Sequence, residues 1–126
     1  MLEVSDFLSA FGFQKGINFG KYTIIDIKTN KKTTKLFREY KFDIELKFQP
    51  IISTDINSLW SWYNAISREI SQEKIISGKR DPYSCKVEQP LLSEIYEDKY
   101  GVITLFLIGY AKKICTGQGC LSKTIL

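Results

Sequence analysis

The 126-residue chain contains no histidine. This absence removes the usual Ser–His and Cys–His nucleophile pairs and the commonest general base at neutral pH. Carboxylate pairs are present, namely Asp43 with Glu45 and Glu94 with Glu97. The first pair falls on the polar face of a predicted strand and the second in a polar turn, where ordinary solvated charges are expected. The sequence therefore predicts a protein that is not an enzyme.

Cysteine is also scarce, with three residues at Cys85, Cys115 and Cys120. Structural zinc is usually held by a closed set of Cys and His ligands, and neither histidine nor a CxxC spacing is available here. An odd number of cysteines without a secretory signal indicates reduced thiols, although a Cys115–Cys120 disulfide remains open for an oxidised sample. We expect no metal and no cofactor.

Long apolar runs are missing as well. No stretch approaches the roughly 20 residues that a membrane-spanning helix needs. The first eleven residues, MLEVSDFLSAF, carry acids where a signal peptide would carry Lys or Arg. These features predict no membrane contact and a location in a cytoplasm or in a particle assembled there.

One near-motif for nucleotide binding lies at residues 117–124, GQGCLSKT. It approaches the phosphate-loop pattern, with Ser122 where the second glycine belongs. Phosphate capture in such loops depends on backbone N–H groups at the start of a helix, and after Thr124 only Ile125 and Leu126 remain. We therefore expect no nucleotide site.

The charge balance is mildly basic, with 18 Lys and Arg against 14 Asp and Glu. The excess gathers in two short segments, at Lys28, Lys31, Lys32 and Lys35 and again at Lys79 and Arg80. A nucleic-acid-binding domain usually shows a basic stripe with a larger excess. The first segment therefore predicts a solvated turn, and nucleic acid is not an expected partner.

The clearest pattern is a strict alternation over residues 39–48. Apolar side chains alternate with charged ones there, at Tyr40, Phe42, Ile44, Leu46 and Phe48. A two-residue period of this kind predicts an antiparallel strand with one face in the core and one in water. A strand predicted over 22–28, the lysine-rich turn and this long strand form a hairpin, which follows a short helix over 4–11 and a glycine-punctuated loop over 12–20.

Residues 56–70, INSLWSWYNAISREI, predict an amphipathic helix. Its apolar stripe is formed by side chains at helical spacing, namely Leu59, Trp62, Tyr63, Ile66 and Ile70. Trp60 falls on the flank of this stripe, beside Asn64 and Ser67. Its cover is either a loop of the same chain or another molecule.

The last element is an apolar strand predicted over 101–111, GVITLFLIGYA. Its composition is apolar on both faces, which is typical of a central strand covered on both sides. The long helix can cover one face, and either the N-terminal helix or a neighbouring subunit must cover the other. In the second case Trp60, Phe106 and Tyr110 would be interface residues.

The segments between the long helix and this strand are less regular. A loop over 77–90 is predicted to hold one short strand near 83–87, and residues 91–101 suit either a helix or a strand. Together the patterns predict an α+β fold in which one main amphipathic helix packs on one face of an antiparallel or mixed sheet. Residues 1–114 form a single domain, and residues 115–126 form a C-terminal tail.

In order and length of elements, the chain resembles the small tail-terminator and neck proteins of long-tailed phages and R-type bacteriocins. The likeness lies in FREYKFDIELKFQP, INSLWSWYNAISREI and GVITLFLIGYAKK and covers about residues 20–112. It implies a structural subunit that forms a homo-oligomeric ring, commonly a hexamer, which caps the tail tube and joins it to a sheath or to head–neck proteins. Such a subunit would occupy the host cytoplasm during assembly and the virion or tail-like particle afterwards.

Within such a ring, two sets of charges could set the orientation between neighbours, because charges at the rim of an interface steer association. They are the alternating charges from Glu39 to Lys47 and the lysine-rich turn over 28–35, with Lys31, Lys32 and Lys35. The competing interpretation is a monomeric α+β module, ferredoxin-like or related, that binds RNA or a peptide. Exposed aromatic residues on a sheet face with nearby lysines would be its signature. The aromatic residues Tyr40, Phe42 and Phe48 share the apolar face of their strand, which favours a core role instead.

Overall fold

A computed structural model of the chain describes residues 2–33, 39–51, 56–77, 82–88 and 96–114. In chain order the elements are α1 (Val4–Ala10), β1 (Asn18–Phe19), β2 (Tyr22–Thr33), β3 (Glu39–Pro50), α2 (Ile56–Ile70), β4 (Lys74–Ile76), β5 (Tyr83–Glu88), β6 (Tyr96–Glu97) and β7 (Ile103–Lys113). Both predicted helices, the alternating strand, the short strand after residue 82 and the late apolar strand are confirmed.

All described strands join in one antiparallel sheet. Six of them follow the order β1-β2-β3-β7-β5-β4, and β6 pairs with the beginning of β7. The two central strands, β3 and β7, pair over ten positions, from Glu39 opposite Lys112 to Phe48 opposite Ile103. The sheet curls into a half-barrel.

The prediction of an α+β fold with one main helix on a sheet is wrong, because the molecule is mostly antiparallel sheet with two helices. Much of the difference comes from the lysine-rich segment. Instead of turning, it continues β2 as far as Thr33, which lies opposite Tyr40 of β3. Pairing with a strongly patterned neighbour outweighs the polar composition of this segment, since strand preference depends largely on cross-strand context.

Both helices bury side chains against the inner face of the half-barrel. The ring of Phe7 in α1 stacks on Phe42 of β3, with ring centroids 4.5 Å apart. In α2, Trp62 lies 5.0 Å from Phe48 and 4.4 Å from Tyr22, measured between ring centroids. Two helices thus cover the inner face. A curled sheet presents a wider apolar surface than the apolar side of one helix can cover.

Local chemistry fixes the ends of α1. The backbone N–H of Glu3, the residue before the helix, donates a hydrogen bond of 3.2 Å to the Asp6 carboxylate. This is one half of a capping box, which satisfies a group that the helix leaves unpaired. Gly12 follows the helix with a φ of 74°, in the left-handed region where glycine has no steric penalty. The chain can therefore leave α1 sharply and enter the loop to β1.

Candidate interaction surface on the outer face of the sheet

The outer face of β7 carries a row of apolar side chains. From Ile103 to Ala111, the side chains at odd-numbered positions of β7, such as Leu105 and Leu107, point into the core and are buried. The side chains of Phe106, Ile108 and Tyr110 point to the opposite, outer face of the sheet, and we call these three residues the outer strip. Phe106 is 49% exposed and Tyr110 is 43% exposed, so no described part of the chain covers them fully. The apolar second face that the sequence predicted for this strand is thus open.

Acidic side chains border the outer strip on both sides. On β3, Glu45 lies opposite Phe106 and Asp43 lies opposite Ile108. On β5, Glu88 lies opposite Ile108 from the other side. These three acids form the acidic border, and Lys41 and Lys86 lie one row further along, on either side of Tyr110.

Tyr110 forms a hydrogen bond with one residue of the acidic border. Its phenol donates a hydrogen bond of 3.1 Å to Oε2 of Glu88. That hydrogen bond, together with burial and the negative charges of Glu88 and Asp43, raises the pKa of Tyr110 above its ordinary value. This hydrogen bond orients the phenol at the end of the outer strip.

Across the whole outer face the charges nearly cancel. By strand register, the described residues that share this face include six lysines and five acids: Lys28, Lys32, Lys41, Lys47, Lys86 and Lys112, with Asp26, Glu39, Asp43, Glu45 and Glu88. Three ion pairs cross it, at 4.0 Å for Lys28–Glu45, 3.3 Å for Lys32–Asp43 and 3.9 Å for Lys112–Glu39. The net charge of one positive unit gives no strong field for a polyanion.

A second candidate surface lies on α2. Trp60 is 44% exposed, as its predicted place on the flank of the helix suggests, whereas Trp62 is 8% exposed. Asn64, Ser67 and Ser71 follow Trp60 along the same side of the helix, at the spacing of successive turns. An open groove of about 630 Å³ continues from there and is lined by Asn64, Ser67, Arg68, Ser71 and Val87. We call these five residues the α2 groove.

The predicted interface lysines are placed differently from one another. Lys31 projects to the inner side, where its ammonium group donates a hydrogen bond of 3.3 Å to the Leu2 carbonyl and lies 5.3 Å from the centroid of the Tyr40 ring. Lys32 lies on the outer face, paired with Asp43. Lys35 lies outside the described residues. Of these, Lys32 lies on the same face as the outer strip, whereas Lys31 makes stabilising contacts within its own chain.

The remaining chemical groups give no reactive centre within the described ranges. Burial raises the pKa of the Cys85 thiol to about 11, so the unreactive thiol form prevails at neutral pH. Among the described residues, no cluster of three or more potential metal ligands occurs. The near-motif at 117–124, the cysteines Cys115 and Cys120, and Glu94 lie outside them. The carboxylates Asp43 and Glu45 belong to the acidic border.

A smaller cavity of about 500 Å³ opens where the ends of both helices approach β1 and β4. Its lining mixes polar groups with apolar side chains, among them Phe11, Ile17, Phe19 and Ile70. Among the described residues, Glu69 and Lys74 are the charged side chains that line it. One acid and one base in a mixed lining do not define a reaction, so we place the candidate function on the outer face.

Two parts of the outer-face site were missed from sequence. Ile108, at the centre of the outer strip, was not singled out. The acids of β3 were interpreted as solvated charges that could orient neighbouring subunits, but they were not placed beside Phe106. The alternation of β3 placed those acids on the polar face correctly. Their position beside Phe106 depends on the register between β3 and β7, which no local pattern reveals.

In comparisons with known proteins, no family model, curated protein or solved structure matches the chain. None of the helices in the described part of the chain is long and apolar enough to cross a membrane.

Proposed function

We propose that this protein is a structural subunit that assembles with copies of itself through the outer strip. The observation that carries the proposal is the exposure of Phe106 and Tyr110 on the central strand of the sheet. In an antiparallel sheet the face that is not packed on the core is normally polar. An apolar row rimmed by polar groups on that face therefore has the usual anatomy of a protein interface. The layout that resembles tail-terminator and neck proteins gives the assembly its proposed setting, a ring at the end of a phage tail or tail-like particle.

The charge pattern of the outer face supports a protein partner. Lysines and acids alternate there, and several are already paired within the chain, so the face attracts neither strong polyanions nor strong polycations. Mixed charges around an apolar centre set the orientation of a protein partner more than they add affinity. A ring subunit needs this property, because each copy must meet its neighbour in one geometry.

A monomeric module that binds RNA or a peptide is the second candidate. The exposed rings of Phe106 and Tyr110 on an open sheet face, with Lys41 and Lys86 on neighbouring strands, are the observation in its favour. The acidic border opposes it, because Asp43 and Glu88 lie beside the strip, where RNA phosphates would have to pass. This candidate therefore ranks behind self-assembly.

The test is the absolute mass of the purified protein by light scattering across a concentration series. We expect the wild type to form a discrete oligomer. Phe106→Lys should remain monomeric, since it places a charge in the apolar row, while its position opposite Glu45 is compatible with the sheet. Tyr100→Lys is the matched control, because Tyr100 is 74% exposed and lies outside the outer strip.

A wild-type protein that stays monomeric at every concentration would contradict the proposal, as would a Phe106→Lys variant that assembles like the wild type. Circular dichroism of each variant checks that the fold is retained. Salt-dependent binding of single-stranded RNA by the wild-type monomer, lost in Phe106→Ala, would move the assignment to the second candidate.

A further inference from the structure

We propose that the outer strip of one copy docks against the α2 groove and Trp60 of the next copy, so that the contact between subunits is head-to-tail. This inference rests on the proposed self-assembly and names the second half of the interface. The docking contact gives a role to Trp60 and Arg68, which are not part of the outer strip.

The two surfaces lie on opposite sides of the sheet. The helix α2 is on the inner side, because Trp62 contacts Phe48 and donates a hydrogen bond of 2.7 Å from Nε1 to the Phe19 carbonyl. The outer strip is on the other side, in the same rows as Glu45 and Asp43. Trp60 and Phe106 of one molecule therefore cannot cover each other, and a contact between them joins two molecules.

The charges of the two surfaces are complementary. Among the described residues that line the α2 groove, Arg68 is the charged one, and Asn64, Ser67 and Ser71 add polar groups beside it. The outer strip projects two aromatic rings and carries three acids on its border. Two of these acids, Glu45 and Asp43, also pair with lysines of their own chain, and Glu88 accepts the Tyr110 hydrogen bond, so the free oxygens of these carboxylates are what an arginine would meet. An arginine beside a carboxylate border can form directional, charge-assisted hydrogen bonds, and an exposed tryptophan offers a flat apolar partner for Phe106 or Tyr110.

Complementarity between two different patches of the same chain selects a second copy as the occupant. Each subunit then offers one strip and one groove, and both are satisfied only by two different neighbours. Such a heterologous contact closes into a ring when the rotation between subunits permits it. A two-fold dimer that pairs strip with strip would instead leave Trp60 and the α2 groove uncovered.

The experiment mixes two variants. One variant has a defective outer strip, and the other has a defective α2 groove. The strip variant is Phe106→Lys, and the groove variant combines Trp60→Ser with Arg68→Glu. We expect each variant alone to associate at least about tenfold more weakly than the wild type and to remain monomeric. An equimolar mixture should give a species of twice the monomer mass, because it contains one intact strip and one intact groove. Glu69→Arg is the matched control for reversing a charge on α2 and should assemble like the wild type.

The possible failures can be told apart. A groove variant that assembles like the wild type, while the strip variant stays monomeric, overturns the head-to-tail contact and leaves self-assembly through the outer strip intact. A mixture that stays monomeric also overturns it. A wild type that is itself monomeric contradicts the proposed function. Crosslinking between a cysteine introduced by Trp60→Cys and one introduced by Tyr110→Cys, both exposed in the monomer, should occur between molecules if the contact is correct.

Discussion

The ring of Phe7 lies directly over Gly109, the one position of β7 where the inner face has no side chain. A Cβ atom at Gly109 would collide with Cζ and Cε1 of the Phe7 ring. Phe7 is completely buried there. Glycine thus provides the space through which α1 packs against the sheet.

Gly109→Ala should lower the free energy of unfolding by about 1–3 kcal/mol, as overfilling a packed core does. Urea denaturation of the wild type and the variant measures this loss. The control is the same substitution in a Phe7→Ala background, where the clash is gone. There alanine should be neutral or stabilising, since glycine is intrinsically unfavourable in a strand by roughly 0.5–1 kcal/mol. An equal loss in both backgrounds would show that Phe7 is not the cause.

The two tryptophans of α2 should differ sharply in their effect on stability. Trp62→Ala removes a buried ring and leaves the Phe19 carbonyl without its hydrogen bond, so it should cost about 3–5 kcal/mol. Trp60→Ala should cost clearly less, about 1–2 kcal/mol, because the side chain is 44% exposed and its truncation removes less buried surface. Thermal and urea unfolding, at concentrations below assembly, compare the two. Equal losses would mean that Trp60 belongs to the core.

Stability should fall at alkaline pH because of Cys85. Its pKa is raised from 9.0 to about 11 by burial, so the folded state holds the proton more tightly than the unfolded chain does. The resulting stabilisation is complete below pH 9 and is lost as the pH rises through about 11. A shift of this size corresponds to roughly 2–3 kcal/mol.

The measurement for Cys85 is urea unfolding at several alkaline pH values, with Cys85→Ala as the reference. Tyrosines titrate in the same range, so the informative quantity is the difference between the two proteins. That difference should shrink as the pH rises. A constant difference would indicate that the thiol titrates alike in both states.

Glu88→Gln should lower the pKa of Tyr110 toward its ordinary value. In the wild type, the hydrogen bond to the Glu88 carboxylate and the nearby negative charge favour the neutral phenol, so Tyr110 ionises at a higher pH than a free tyrosine. Ultraviolet absorbance of the phenolate, taken as the difference between each protein and its Tyr110→Phe counterpart, measures the midpoint. An unchanged midpoint in Glu88→Gln would show that the hydrogen bond does not form in solution.

Local periodicity in the sequence predicted the elements that carry strong patterns. The alternation around Phe42 and Leu46 predicted β3, and the spacing of Trp62 and Ile66 predicted α2. The same helical geometry placed Trp60 on the flank of α2, where the structure finds it exposed. Each of these predictions depended on residues close together in the chain.

The rest depended on partners distant in sequence. The β2 segment around Lys31 became a strand because β3 pairs with it, and strands of two or three residues, such as β1 and β4, are too short to show a period. The placement of Glu45 beside Phe106 follows from a register between strands that are far apart in the chain. For this reason the sequence pointed to Phe106 and Tyr110 as interface residues without revealing their acidic border.

The strand order also bears on how the chain reaches its fold. Although β7 comes last among the strands, it lies between β3 and β5 and joins the two halves of the sheet. During synthesis, the β2–β3 hairpin can form early, but the free edge of β3 has to wait for residues made some sixty positions later. Long-range pairing of this kind is slow, because a large loop must close before any contact forms. A nascent chain that stalls before Ile103 would therefore expose an unpaired edge and half of its apolar interior, the state in which it most needs a chaperone.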